Sequence, residues 1–257
     1  MRRAWVILLV LATGCSAQSS VSSTTLSTTA TTVPVSPSTA PPVTSTTTSA
    51  ILITSTPHVE ESSDHRINAV VPSVTGIAGA ADVDAAISDT INGIVDEFML
   101  QSEQNGTTPG LGQNSLDITY TAGYLSVNLL SIEIETSTYW SGAAHPFETV
   151  ATLTFLDGRV VDIAAYLTDP SGLVEIIAAD VARRYQEGSA QDVLATAGGT
   201  ESLLDSARFL LTPDALVAAF DQYAVAAGAA GIVRVEIPYE RASLGGPLAG
   251  LPAVPTG

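Results

Sequence analysis

The sequence predicts an α+β fold, an antiparallel sheet with packed helices, in a single globular domain behind a disordered stalk. Three observations carry this. Apolar residues recur every three or four positions in two stretches, from Asp82 and from Asp169. They alternate in several others, as on half-buried strands. Asp157-Gly158 and Thr212-Pro213-Asp214 join alternating stretches into hairpins, so the strands pair antiparallel. Strands and helices arrive in runs, which distinguishes α+β from a regular parallel α/β design.

Taken in order, Arg66 to Val71 reads as a strand with Ile67, Ala69 and Val71 on one face, and Pro72 ends it or marks an edge. Asp82 to Leu100 carries Val83, Ile87, Ile91, Ile94 and Phe98 as one buried helical stripe. Leu116, Ile118 and Tyr120 alternate. Leu125, Val127 and Leu129 alternate next, and Leu130, Ile132 and Ile134 follow in the opposite phase. That change of phase means one long strand with a bulge near Leu129-Leu130, or two strands. Phe147 to Phe155 is a strand with Phe147, Ala151, Leu153 and Phe155 on one face, and Arg159 to Ile163 returns beside it. Asp169 caps a helix with Pro170 in its first turn. Gln191 to Leu204 is a weaker helix broken at Gly198-Gly199. Arg208 to Leu211 and Ala215 to Phe220 form a hairpin, and Gly231 to Tyr239 is the last strand. The segment from Gly245 to Gly257, rich in Gly, Pro and Ala, reads as a flexible tail.

The N-terminus reads as an export address. Met1-Arg2-Arg3 is basic, and the apolar run Ala4 to Ala12 is too short to cross a bilayer, which needs about 20 residues. Leu11-Ala12-Thr13-Gly14-Cys15 resembles a bacterial lipobox, with Ala12 where Leu is usual. The resemblance implies a signal peptide over residues 1–14 and a diacylglyceryl group on Cys15, the one cysteine of the chain. The chain is then anchored to the cell membrane on its outer side. Residues 15–57 are mostly Ser, Thr, Pro, Val and Ala, without a charge before His58, a composition that cannot bury enough apolar surface to fold. Ala50-Ile51-Leu52-Ile53 is included in that stalk and is expected to form no stable structure. The domain proper is expected over residues 58–244.

The formal charge is −17, with nine Arg and no Lys. Such a surface repels phosphates, so no nucleic-acid partner is expected; it suits solubility and attracts cationic proteins. His58, His65 and His145 do not follow a zinc spacing, and there is neither a Gly-x-Ser-x-Gly elbow nor a phosphate loop with Lys. No metal or cofactor is expected, and no catalytic residue is assigned. Glu133 and Glu135 share a strand face and read as solvated.

Several blocks together resemble a known family. They are Ile67-Asn68-Ala69-Val70-Val71-Pro72 with the following Asn- and Ile-bearing helix, Leu125-Ser126-Val127, Tyr139-Trp140-Ser141-Gly142-Ala143-Ala144-His145-Pro146, and the C-terminal run from Phe209 through Phe220-Asp221-Gln222-Tyr223 to Tyr239. The family is the extracytoplasmic domain of RsiV-type anti-sigma factors, also found as a non-catalytic module of a peptidoglycan deacetylase and in a secreted mycobacterial immunogenic protein. Ala143 stands where the second Gly of its Tyr-x-x-Gly-Gly-Ala-His-Pro motif is usual. The resemblance implies an α+β fold, no common enzymatic activity, and in one branch direct binding of lysozyme. Only Met1-Arg2-Arg3 precedes the apolar run, so a sigma-binding cytoplasmic segment is not expected.

The candidate binding surface is Tyr139, Trp140, Gly142, His145 and Pro146, two aromatics and a histidine about a turn. The aromatics suit stacking on a sugar ring or a partner; they also suit packing of the turn. His145 suits either a binding surface, acid/base work, or tying the turn to backbone. Three functions stay open: a binding module for a lysozyme-like cationic envelope protein or a wall glycan, a cell-wall-acting hydrolase or deacetylase-associated enzyme, and a structural or antigenic envelope protein.

Overall fold

The computed structural model describes residues 50–185 and 188–251. Cys15, the signal segment, the stalk up to residue 49 and the tail from residue 252 lie outside the described residues. The strands are β1 (Leu52–Glu61), β2 (His65–Thr75), β3 (Asn114–Leu125), β4 (Leu129–Tyr139), β5 (Phe147–Leu156), β6 (Arg159–Val161), β7 (Arg208–Leu211), β8 (Ala215–Phe220) and β9 (Val233–Pro238). The helices are α1 (Ala80–Asn105), α2 (Pro170–Tyr185), α3 (Ala190–Thr196), α4 (Thr200–Ser206) and α5 (Tyr239–Ala242). β1 to β6 form one sheet in chain order, and β7 to β9 form a second.

The fold is α+β, as the pattern of periods requires. The sheets are not antiparallel throughout: β2 and β3 run parallel, from His65↔Asn114 to Ala69↔Ile118. A parallel neighbour needs a long crossover, and the 26-residue α1 supplies it. The helix buries Val83, Ile87, Ile91 and Phe98 against Ile67, Leu116, Ile118, Ile132 and Ile134 of the sheet.

β1 corrects the stalk boundary. Its ten residues pair antiparallel with β2 from Leu52↔Thr75 to Glu61↔Arg66, so ordered structure starts before His58 and includes Leu52 and Ile53. Pro57 is tolerated because β1 is an edge strand with one unpaired side. Pro72 does not end β2 either. It pairs with Ser55 in a stretch where the register with β3 has already stopped.

Of the two readings of residues 125–134, the two-strand one holds: β3 and β4 meet at a hairpin closed by Ser126 N–H to Leu129 O, 2.7 Å. Asp157 and Gly158 both take positive φ, 50° and 76°, which is the turn geometry that matches strand twist. Gly198 and Gly199 separate α3 from α4. Ile163 leaves the return strand to begin a 3₁₀ turn. The tail is partly fixed, since Leu248 is fully buried against the second core.

The second sheet packs on the face of the first that α1 leaves free. Leu216, Ala218 and Phe220 of β8 and Val233, Val235 and Ile237 of β9 point to α2, where Leu173, Ile177 and Val181 meet them. Their neighbours in sequence point the other way, toward the large sheet. Arg234 thereby reaches Glu133 on β4, with Nε and Nη2 donating to Oε1 at 3.0 and 2.7 Å. Glu133 is therefore buried rather than solvated, and Glu135 takes the same guanidinium at 2.7 Å.

Candidate functional site

The segment Tyr139 to Pro146 connects β4 to β5, and it is anchored from below by Asn114. That side chain is fully buried at the start of β3. Its Oδ1 accepts from Ser141 N–H at 2.8 Å, and its Nδ2 donates to Ser102 Oγ and Gly106 O at the end of α1. Thr108 N–H donates to Ser141 Oγ, 2.9 Å. Gly142 has φ 91°, where a side chain would be strained. Ala143 is not in the left-handed region, so its methyl costs the turn nothing; its N–H closes the turn on Trp140 O at 2.8 Å.

The five residues of the candidate surface do not act together. Trp140 is half-buried and stacks on Phe98 of α1, with centroids 5.4 Å apart and planes at 20°. It therefore packs the turn onto the helix and also lines an adjacent cleft. Tyr139 is half-buried at the end of its strand. His145 and Pro146 are exposed. The His145 Nδ1 lies 2.7 Å from Pro146 O, and a carbonyl only accepts, so this nitrogen carries the proton. In the neutral ring Nε2 then accepts from the Tyr223 hydroxyl, 3.1 Å away.

Tyr223 comes from a distant loop, and the chain builds that junction in steps. Beyond its pairing with β6, β5 has a free edge over residues 147–153. Asp221 and Gln222 cover it. Val150 N–H donates to Asp221 Oδ1 at 2.7 Å, and Glu148 N–H donates to Gln222 Oε1 at 3.1 Å. Gln222 N–H returns to Glu148 O, and its Nε2 donates to Gly228 O. The next residue, Tyr223, is forced to φ 71°, a conformation rare outside glycine. Its ring lies over Gly228, where a Cβ would come within 2.0 Å of it. Phe147, expected to face a core, is instead 43% exposed and stacks on Tyr223 with planes at 9°.

The result is an exposed cluster of His145, Phe147 and Tyr223, with Glu148 alongside. Sequence reasoning found His145 but missed Phe147, Tyr223 and Gln222. The Asp221-Gln222-Tyr223 block was visible, but nothing local tied it to a turn 78 positions earlier. No group of three or more His, Cys, Asp or Glu among the described residues is arranged to hold a metal.

Residues 168–240 match the family model described as "Protein of unknown function (DUF3298)", which takes in α2 to β9 and Tyr223. A solved DUF3298 family protein from Pseudomonas aeruginosa is similar over 80% of this chain and 97% of its own, with TM-score 0.53 and 13% identity. At that identity the likeness shows a shared fold. A DUF3298 family member from Bacteroides fragilis is similar over 78% of this chain and 96% of its own, with TM-score 0.47 and 18% identity. No curated protein matches the chain.

Proposed function

We propose that this domain is a binding module of the cell envelope, tethered to the membrane by a lipid on Cys15, and that it docks a cationic, lysozyme-like protein. The observation that carries the reading is the cluster of His145, Phe147 and Tyr223. Aromatic rings from two distant segments are held on the surface, one of them at a strained backbone position, and strain of this kind concentrates at binding sites. The His145–Tyr223 hydrogen bond and the stacking of Phe147 on Tyr223 fix orientation, so little side-chain freedom is lost on contact. The net charge of −17 supplies long-range attraction for a basic partner. The likeness to RsiV-type domains, one branch of which binds lysozyme, supports the same class of partner.

Two experiments test the parts separately. Gly228→Ala pushes the Tyr223 ring off its seat without touching a core residue, so the melting temperature stays unchanged. Dissociation from a cationic lysozyme, followed by surface plasmon resonance, becomes about tenfold faster, as expected when an anchor at an interface centre is lost. Association slows as salt shortens the screening length to about 8 Å. Normal dissociation in Gly228→Ala and Tyr223→Ala alike would move the site elsewhere. A wall-hydrolysis assay run beside it separates binding from catalysis. For the tether, Cys15→Ala abolishes metabolic labelling by an alkyne fatty acid; unchanged labelling would refute the lipobox.

A further inference from the structure

We propose that the cleft between α1 and the β4–β5 end of the large sheet binds an uncharged pyranose ring of an oligosaccharide. The inference rests on reading the domain as a binding module and adds a second ligand to it. Between Thr90, Gly93, Glu97 and Gln101 of α1 and the Trp140 end of the sheet lies an open volume of about 440 Å³. That is within the range of small-ligand sites, roughly 300–1,000 Å³.

The lining decides the ligand class. Trp140 and Phe147 form the aromatic wall, each with one face already stacked, on Phe98 and Tyr223. The helix adds Glu97 and Gln101, paired Nε2 to Oε1, and the sheet adds Thr136 and Thr149, whose hydroxyls bond each other, and Thr138. No Arg lines the cleft, so a phosphate or carboxylate finds no counter-ion. A purely apolar chain strips water from Glu97, Gln101 and Thr138 and returns no hydrogen bond. A neutral pyranose offers what the lining asks for, a C–H face for the rings and hydroxyls for the polar side chains.

Gly93 adds a second, independent observation. It stands in the middle of α1 and lines the cleft, and a Cβ built on it meets nothing within 4 Å. Its φ is not positive, so the backbone does not require glycine. Glycine weakens a helix interior relative to alanine, and no packing contact accounts for it here. What it keeps is the open cleft.

The test uses the full-length chain carrying Trp5→Phe, so that Trp140 is the single tryptophan and its fluorescence reports the cleft wall. Chitotriose, cellotriose and laurate are the probes. The expected result is a saturable change with at least one trisaccharide, weakened at least tenfold by Gly93→Phe and by Glu97→Ala, with melting temperatures kept. Saturation by laurate alone, no saturation by either sugar, or parental sugar binding in both variants overturns the proposal. The same proteins are passed over immobilised cationic lysozyme. No sugar binding by the Trp5→Phe parent, with lysozyme binding present, overturns this inference alone; sugar binding by that parent with no lysozyme binding overturns the protein-partner reading alone.

Discussion

Replacing Arg234 by Met destabilises the domain by about 3 kcal/mol at neutral pH, and the loss shrinks toward acid. Breaking a buried pair from one side leaves the other charge stranded, which costs about 3–5 kcal/mol. The low end applies because the Arg234 side chain is 35% exposed, so some water reaches the site, while that of Glu133 is only 2% exposed. Glu133 Oε2 is buried with no hydrogen-bond partner among the described residues, so its charge leans on Arg234. Burial holds the Glu133 carboxyl above the ordinary carboxylate range; Arg234 pulls it back down and the like charge of Glu135 pushes it up. Without the guanidinium the carboxyl rises further. A carboxyl raised on folding binds more protons folded than unfolded, so stability falls as pH rises through the window above its unfolded value. The variant is therefore relatively better off at pH 5 than at pH 8. Urea unfolding at both values measures this, and the neutral-pH melting temperature drops by roughly 10 °C. An equal loss at both pH values would mean that Glu133 is not the group left stranded. Adding Glu133→Gln removes the buried charge and recovers part of the stability.

The ion pair also marks where sequence reading stops. A glutamate on an alternating strand face reads as solvated, because its partner lies 101 residues away and only the packing of one sheet on the other brings them together. Tyr223 was hidden for the same reason, and a positive φ at a non-glycine leaves no trace in composition. β1 was missed on different grounds. Nearly all its side chains are exposed and its Ser, Thr and Pro content matches the stalk, so it has neither an apolar face nor a period. What orders it is backbone pairing with β2, and that depends on no side-chain pattern.

The legible parts were those in which local chemistry and packing agree. The α1 stripe appeared in the predicted order because one helix face meets one sheet face. Asp157-Gly158 and Thr212-Pro213-Asp214 specified their hairpins through turn geometry alone, and both formed. The parallel β2–β3 pair lay between these cases. Its crossover helix was visible, but the partner of β2 was not, since a buried stripe says that a helix packs and not which strands lie beneath it. For the candidate surface the segment was correct and the grouping was not: Trp140 went to the helix and His145 to Tyr223, on either side of Phe147.

Gly123→Ala should cost the domain about 3 kcal/mol, although its φ is not positive and alanine fits its backbone. The reason is the separation of the two sheets. Gly123 lies where the β3–β4 register shifts, between Ala122 and Leu125, and a Cβ there would come 2.1 Å from Leu211 O and 2.9 Å from Leu210 Cδ1. A leucine tip can turn away, but the Leu211 carbonyl belongs to β7 and cannot. Leu211 N–H also donates across the sheets to Ser131 Oγ at 3.0 Å, and Ser131 shares a 2.8 Å bond with Thr154 on the neighbouring strand of its own sheet. Moving β7 outward strains this buried junction, so the cost sits at the upper end of the overpacking range, about 1–3 kcal/mol. Gly93→Ala is the control. The same added methyl meets nothing within 4 Å and removes a mid-helix glycine, so it stabilises by about 0.5–1 kcal/mol. Urea unfolding of both variants should give shifts of opposite sign with an unchanged slope. A Gly123→Ala protein within about 0.5 kcal/mol of the parent, the range of an ordinary surface change, would mean that the sheets part freely there and that the polar junction does not hold them.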